Sequence, residues 1–149
     1  MAKHHFHLTA RWQGGRNGIG TIDAGNLKSE ISIPEEMRGP GVGTNPDEML
    51  IGSAATCYLI TLAAMLERAA IPVKELTLET EGVVREERGL KFERITHRPT
   101  VILEATATAG HLEQTEAATE RAERHCMISN ALRGNVELAV EANVSVVKD

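Results

Sequence analysis

Two cysteines, Cys57 and Cys126, are the side chains in this 149-residue chain with the clearest capacity for chemistry. Neither belongs to a C-x-x-C motif, and only His125 adjoins either thiol, so the sequence shows no metal-binding signature. If the fold brings the two thiols together, one can attack an oxidant and become a sulfenic acid, which the other can convert to a disulfide. The alternative is that each cysteine is an inert core residue, since buried free cysteine is common. The spacing makes a redox pair a reasonable prediction and leaves the inert alternative open.

A reactive thiol must ionise, and a buried apolar position disfavours the thiolate unless a positive group lies nearby. The arginines that can reach Cys57 from loops are Arg16 and Arg38, and Asp47 is a candidate carboxylate for holding one of them. Asp47 precedes Cys57 by ten residues, about 15 Å along a straight helix, so the two cannot be neighbours on one unbroken helix. Either the helix breaks, near Gly52, or the carboxylate–arginine pair serves the cysteine of a second subunit. We favour the second arrangement.

These residues depend on one stretch, from Asn45 to Arg68, that is predicted to form a long helix. Asn45 suits the N-cap and Pro46 the first helical position, and no charged residue occurs between Met49 and Leu66. That run approaches the length of a membrane span, but small and polar residues dilute it and argue against one. Apolar residues cover every face of the helix, whereas one sheet can cover only one side. We therefore expect a homodimer with this helix at its centre.

The rest of the chain predicts strands and shorter helices in the order β-β-β-α-β-β-α-β, with antiparallel sheets around the long central helices. This order indicates an α+β fold and one domain, residues 1–149. A glycine-rich turn carries Arg16 at its tip, and a second glycine-rich segment, Arg38–Thr44, leads into the long helix. The predicted strands are residues 5–12, 19–22, 27–33, 73–86, 90–107 and 136–146; the predicted helices are residues 45–70 and 110–125, with a helical turn at 129–132.

Charge and composition argue against several classes of partner and location. The net charge is −5 and the pI is near 5.7, without a cluster of basic residues, which argues against nucleic acid or an anionic membrane as a partner. The N-terminus lacks the apolar segment of a signal peptide, and two cysteines without an export signal predict a reducing, cytoplasmic location. His4, His5 and His7 form a tract able to bind metal, although the outward face of a strand is the more common explanation.

Three segments together resemble the OsmC/Ohr family. Gly43–Leu50 followed by Ala54–Cys57 resembles the first cysteine motif of that family, and His125–Leu132 resembles the second. Gly14–Gly18 resembles the arginine turn of the Ohr branch. The three segments occur in the family order, and the resemblance spans nearly the whole chain.

The resemblance implies an intertwined homodimer of α+β subunits that reduces organic hydroperoxides. It assigns Cys57 as the peroxidatic thiol and Cys126 as the resolving thiol that forms a Cys57–Cys126 disulfide. It assigns Arg16 as the cation that stabilises the thiolate, and the family glutamate that binds this arginine falls on Asp47, with Glu48 beside it. Electrons come from lipoylated proteins or other dithiols, and no metal, flavin or haem is implied.

The chain departs from the family pattern at two positions. Asp47 is one methylene shorter than the family glutamate, and Met127 stands where proline is common after the second cysteine. The OsmC branch places its arginine in the loop before the helix, which would favour Arg38 over Arg16.

The sequence thus predicts a cytoplasmic thiol-dependent peroxidase that detoxifies organic hydroperoxides under stress. The alternative is a non-enzymatic dimeric protein that binds an apolar small molecule and carries incidental cysteines. Thiol-mediated acyl transfer is a third hypothesis, for which His125 is the only neighbouring base. Apolar residues near Cys57 favour an alkyl or lipid peroxide if they line the site, and core packing explains them equally well; they are Met49, Leu50, Tyr58 and Met65.

Overall fold

Strands form where apolar and polar residues alternate, and helices form where apolar residues recur every three or four positions. A computed structural model describes residues 1–148 and confirms the predicted α+β class. Asp149, the last residue of the predicted domain, lies outside the described residues. The chain divides into two units, residues 1–49 and the residues from 50 onward.

The first unit contains a three-stranded antiparallel sheet. The strand predicted at residues 5–12 begins only at residue 9, and its turn with the next strand uses Gly14, whose φ of +98° favours glycine. Arg16 lies in that turn, as predicted. The strands, in sheet order, are β1 (Thr9–Gln13), β2 (Ile19–Ala24) and β3 (Leu27–Ile31).

The glycine-rich segment after β3 pairs back onto that strand before the long helix begins. Thr44 donates its N–H to the carbonyl of Glu30 at 2.9 Å, and Gly43 has a φ of +68° with no room for a side chain against the same carbonyl. A 3₁₀ turn, Glu35–Met37, precedes this segment. Asn45 is the predicted N-cap and is confirmed, because its side-chain oxygen accepts the N–H of Glu48 at 2.8 Å.

The long helix α1 (Pro46–Arg68) runs for 23 residues. It ends two residues earlier than predicted because Ala70 adopts a φ of +56° and Ile71 donates its N–H to the carbonyl of Leu66. Its buried residues follow a spacing of four and form one stripe: Ala54, Tyr58, Leu62 and Leu66.

The rest of the surface of α1 is only partly covered within the protomer. By length and hydropathy α1 could span a membrane, and 22 % of its most apolar window is buried. One such helix is weak evidence for a membrane span, since the core helix of a soluble protein meets the same criterion. Ile60, in the middle of α1, is 69 % exposed.

The second unit contains a mixed sheet around a long central strand, β5. The two longest strands pair in antiparallel fashion, while the C-terminal strands pair with β5 in parallel, so this sheet is mixed where the sequence predicted antiparallel sheets. The strands are β4 (Val73–Glu86), β5 (Leu90–Leu103), β6 (Glu137–Val140) and β7 (Asn143–Val146).

The last predicted strand, residues 136–146, is in fact two strands. Both keep one register on β5, and the break between them falls opposite Arg98 and Pro99. Proline has no backbone N–H to donate to a neighbouring strand, which accounts for the interruption. Arg98 instead binds Glu141 through its side chain, at 2.8 Å.

Two further helices complete the second unit. The helix α2 (Ala109–His125) is capped by the Thr108 hydroxyl, which accepts the N–H of His111. The helix α3 (Met127–Leu132) begins two residues earlier than the predicted helical turn. The stripe of α1 packs against β5 and α2 in one core cluster that includes Val101, Leu103, Ala118 and Ala122.

A buried aromatic pair joins α1 to β5. The rings of Tyr58 and His97 stack with centroids 4.5 Å apart, and both side chains are fully buried. Thr80 pairs with His97 Nδ1 at 2.9 Å, whereas His97 Nε2 has no partner among residues 1–148. Burial lowers the pKa of His97, although Glu123 nearby opposes the shift. His97 is therefore held neutral in the core.

We expect the folded protein to lose stability as the pH falls from about 7.5 to about 5, through the ordinary histidine pKa of about 6.5. The unfolded chain takes up a proton on His97 in this range while the buried imidazole resists it, so acid favours unfolding. Each unit by which burial lowers the pKa corresponds to about 1.4 kcal/mol. Replacing His97→Phe, which keeps a ring against Tyr58, should reduce this loss in urea titrations at both pH values.

The matched control is His7→Phe, which removes an exposed histidine. It should leave the pH dependence of the wild-type protein unchanged. Equal losses of stability in wild type and His97→Phe would contradict the account.

Candidate functional site

The two cysteines lie on different elements of the second unit. Cys57 is half-buried in the middle of α1. Cys126 is fully buried and forms the junction between α2 and α3, where it ends one helix and caps the next. Its extended backbone, with φ of −74° and ψ of 122°, makes the turn between the helices. Both thiols are free rather than joined in a disulfide.

The structure brings these two thiols into contact. The two side chains lie close enough that Cys126 lowers the pKa of the Cys57 thiol while Cys57 raises the pKa of the Cys126 thiol, after the larger effect of burial on each. The two sulfurs therefore lie near each other, and their pairing in a redox reaction stays a prediction. The contact places a second sulfur where it can attack the first once that first sulfur has been oxidised.

The Cys57 sulfur is also placed at the start of α3. Burial is the largest effect on Cys57 and raises its pKa, but hydrogen bonds from the Cys126 thiol and from the backbone N–H groups of Ile128 and Met127 together lower the pKa below its usual value. The first N–H groups of a helix have no partner within the helix, so they are available to a thiolate.

Thr61, one turn beyond Cys57, contributes least to this environment. Its side chain lies by the Cys57 sulfur, yet its hydroxyl donates to the Cys57 carbonyl at 2.7 Å. A hydroxyl has one proton, so the Thr61 hydroxyl that donates to the carbonyl has none left for the sulfur.

The pKa of Cys126 is shifted in the opposite direction to that of Cys57. Burial raises the pKa of its thiol, and the neighbouring Cys57 raises it further, while contact with Ser129 lowers it in part. The pKa of Cys57 is thus lowered and the pKa of Cys126 raised, so Cys57 ionises more readily than Cys126. Cys57 has the character of a nucleophile.

An ion pair fixes the turn that carries Cys126. Arg133, at the end of α3, binds the Glu123 carboxylate of α2 at 2.8 Å. The same guanidinium donates to the Glu123 carbonyl and to Asn130 Oδ1. The Glu123 side chain is only 11 % exposed, so this pair is shielded from water more than an ordinary surface pair. Sequence reasoning missed both residues, since their spacing across a helix junction follows no motif.

The predicted arginines lie in the first unit. The Arg16 guanidinium donates to the carbonyls of Met37 and Arg38, at 2.8 and 3.2 Å, and to Asn17. Arg38 ends the 3₁₀ turn with a φ of +63°. Arg16 is therefore attached to the loop that contains Arg38, so both candidate cations belong to one exposed cluster.

The predicted carboxylates occupy the first turn of α1. Asp47 is half-buried, and the Glu48 carboxylate accepts a hydrogen bond from the Thr44 hydroxyl at 2.9 Å. The helix continues without interruption through Gly52, so the helix break considered above is wrong. Tyr58 belongs to the core, where its hydroxyl donates to the Thr119 carbonyl.

Other features of the second unit bear on ligands. Among residues 1–148, no group of three or more His, Cys, Asp or Glu side chains is placed to hold a metal ion. His125 is exposed at the end of α2. An open groove of about 610 Å³ runs along α1 and α2, lined by Ile60, Thr61, Ala64, Met65, Arg68, Ala69, Arg121 and His125.

The fold and its two-thiol site define a class of protein. A family model described as OsmC-like protein matches residues 39–141, and the chain therefore belongs to the OsmC-like family. The chain is 52 % identical over 147 residues to the uncharacterized protein YmaD of Bacillus subtilis, covering 98 % of both chains. It is 28 % identical over 143 residues to the organic hydroperoxide resistance protein OhrB of the same organism, covering 95 % of this chain and 98 % of that protein.

Solved structures agree with this assignment. An organic hydroperoxide resistance protein of Legionella pneumophila matches with a TM-score of 0.69 at 26 % identity, covering 98 % of this chain and 100 % of that chain. An OsmC-like protein of unknown function from Vibrio cholerae matches with a TM-score of 0.78 at 17 % identity, covering 94 % and 99 %. The second likeness is one of fold.

The contribution of α3 to Cys57 can be tested by replacing Met127→Pro. Met127 is the first residue of α3, where proline is well tolerated, and the extended backbone of Cys126 is compatible with a following proline. The Met127 side chain is exposed, so the change removes chiefly one N–H donor. A hydrogen bond to a charged group is worth about 1.5–3 kcal/mol, so alkylation of Cys57 at neutral pH should slow by about tenfold or more.

The measurement is the rate of carbamidomethylation of Cys57 against pH, followed by peptide mass spectrometry. The midpoint should move to higher pH in Met127→Pro and stay in place in Met127→Leu, which keeps the N–H. A Met127→Pro profile that superimposes on the wild-type profile would show that this N–H does not stabilise the thiolate.

Proposed function

We propose that this protein is a cysteine-based organic hydroperoxide reductase, a thiol-dependent peroxidase that converts organic hydroperoxides to alcohols in the cytoplasm during peroxide stress. The observation that carries the proposal is the contact between the Cys57 and Cys126 sulfurs, with the pKa of Cys57 lowered by hydrogen bonds that outweigh its burial. Several relatives are named for organic hydroperoxide resistance, which supports the same class of substrate. In this proposal residues 1–149 act as one OsmC/Ohr-like domain.

The first step oxidises Cys57. Its thiolate attacks the distal oxygen of the peroxide, so that a sulfur–oxygen bond forms as the oxygen–oxygen bond breaks. Sulfur loses two electrons and becomes a sulfenic acid, while the departing alkoxide takes a proton and leaves as the alcohol. The N–H groups of Met127 and Ile128 hold the thiolate beforehand, because they donate to the Cys57 sulfur.

The second step joins the two cysteines. Cys126 gives up its proton and attacks the Cys57 sulfur, the sulfur–sulfur bond forms, and hydroxide leaves and is protonated to water. An external dithiol, such as a lipoylated protein, then reduces the Cys57–Cys126 disulfide by thiol–disulfide exchange and is itself oxidised to a disulfide. No metal or organic cofactor takes part in these steps.

A cation completes the proposed site. We assign to Arg16, or to Arg38 in the same cluster, the stabilisation of the thiolate and of the departing oxyanion. Asp47, with Glu48 beside it, would orient that arginine, and in our proposal this pair serves the cysteine of the partner subunit.

The dimer itself is supported by α1. Its buried stripe accounts for one face, while apolar residues such as Ile60 remain exposed in the protomer. A contiguous apolar helix face of this kind is typical of a subunit interface. We propose a homodimer in which the α1 helices contribute to the interface.

The peroxidase proposal predicts that substoichiometric cumene hydroperoxide oxidises Cys57 and links it to Cys126, detectable by peptide mass spectrometry. Cys57→Ser should consume no peroxide in the presence of dihydrolipoamide, because the nucleophile is missing. Cys126→Ser should form a Cys57 sulfenic acid that dimedone traps. Unmodified cysteines and no peroxide consumption by the wild-type protein would instead favour a non-enzymatic protein that binds an apolar small molecule.

The same assay identifies the cation. Arg16→Met and Arg38→Met should differ, with the larger fall in the rate of Cys57 oxidation marking the arginine that acts. Because the Arg16 side chain also binds its own loop, Arg16→Lys serves as the control that keeps the charge. If neither Met variant slows oxidation, the assignment of a cation to this cluster is wrong.

The dimer predicts that replacing Ile60→Glu weakens association, because it would bury a charge in an apolar interface. Sedimentation equilibrium should give the mass of two chains for the wild type and a shift toward one chain for Ile60→Glu. The matched control is Leu90→Glu, which replaces an exposed leucine at the β4–β5 turn. A monomeric wild-type protein, or dissociation only in Leu90→Glu, would contradict an interface built on α1.

A further inference from the structure

Ser129 is placed against the sulfur of Cys126. It lies three residues beyond Cys126, within α3, and is fully buried. Its backbone N–H donates to the Cys126 sulfur at 3.5 Å, which makes Cys126 the N-cap of the helix. The two side chains therefore share one dry pocket at the helix junction.

The Ser129 hydroxyl forms no hydrogen bond of good geometry with other residues of the described chain. A buried hydroxyl without a partner costs free energy, so such a group is expected to have a structural or functional role. The neighbouring Cys126 is a weak acceptor as a thiol and a strong one as a thiolate. The hydroxyl already lies close enough to Cys126 to lower the pKa of that thiol, and the thiolate is the form of Cys126 that accepts its proton most strongly.

The proposed reaction requires that ionisation. In the resting pair Cys126 donates its proton toward Cys57, and burial together with Cys57 raises the pKa of Cys126. Once Cys57 has become a sulfenic acid, Cys126 must lose its proton in a site without water to solvate the charge. The described surroundings of the Cys126 sulfur offer two donors for the new thiolate, the N–H and the hydroxyl of Ser129.

We propose that Ser129 is a positioning residue for disulfide formation, acting through Cys126 and only after the peroxide has reacted. Its hydroxyl donates to the Cys126 thiolate as that sulfur attacks Cys57. The Cys57–Cys126 bond forms, the sulfenic acid releases hydroxide, and the proton lost by Cys126 completes a water molecule. This role rests on the proposed function, because it concerns the second step of that reaction.

The test separates the two steps in Ser129→Ala, which keeps the backbone N–H and removes only the hydroxyl. Rapid-quench mass spectrometry after one equivalent of cumene hydroperoxide should show Cys57 sulfenic acid forming at the wild-type rate. Disulfide formation should slow by about tenfold or more, the loss expected for a hydrogen bond to a charged group, and its pH midpoint should rise. Dimedone should therefore trap more sulfenic acid than in the wild type.

Two controls make the result specific. Thr61→Val removes a hydroxyl from the Cys57 side and should leave the pH midpoint of disulfide formation in place. A general loosening of α3 in Ser129→Ala would also slow the first step, because Met127 and Ile128 of that helix donate to Cys57. Slowing of both steps together, or an unchanged pH midpoint of the second step, would overturn the role of Ser129. Absence of sulfenic acid in the wild type would refute the proposed peroxidase itself.

Discussion

A thiolate that is partly withdrawn from water is stable only where other donors replace the lost solvent, and Cys57 stands where its own helix can offer none. In the interior of α1 every backbone N–H is used by the helix itself. The donors must come from the end of another helix, where the first N–H groups lack partners. The start of α3 supplies them through Met127 and Ile128, so the ionisation of Cys57 depends on α2 ending and α3 beginning with only Cys126 between them.

The packing explains how that junction stays in register with α1. Ile128 and Leu132 of α3 pack against a small core cluster that contains Ala54, one turn before Cys57. On the other side, the Glu123–Arg133 ion pair joins the end of α2 to the end of α3. Apolar contact thus fixes the distance from α3 to α1, and the ion pair fixes the angle of the turn. A change in either would move the donors away from the Cys57 sulfur.

Sequence patterns predicted the elements better than they predicted the site. The bounds of β4, the N-cap Asn45 and the long helix follow from alternation, capping and composition, which act locally. The split of the last strand was missed because its cause, Pro99, lies on the neighbouring strand. The two thiols can be recognised from residue type. The backbone donors of α3 cannot, because every residue except proline carries an N–H group. Ser129 had one available signal, its position three residues after a residue that can cap a helix.

The coupling between the two thiols also gives the proposed reaction its order. Burial raises the pKa of Cys126 most and the neighbouring Cys57 raises it further, whereas Cys126 helps to lower the pKa of Cys57, so the first sulfur ionises more readily than the second. Cys57 is half-buried, whereas Cys126 is fully buried, so a peroxide can reach the first sulfur more readily than the second. Oxidation of Cys57 removes the negative charge that opposed ionisation of Cys126. In the proposed reaction one cause that keeps Cys126 protonated is therefore lost when Cys57 becomes a sulfenic acid, while burial, the larger cause, remains.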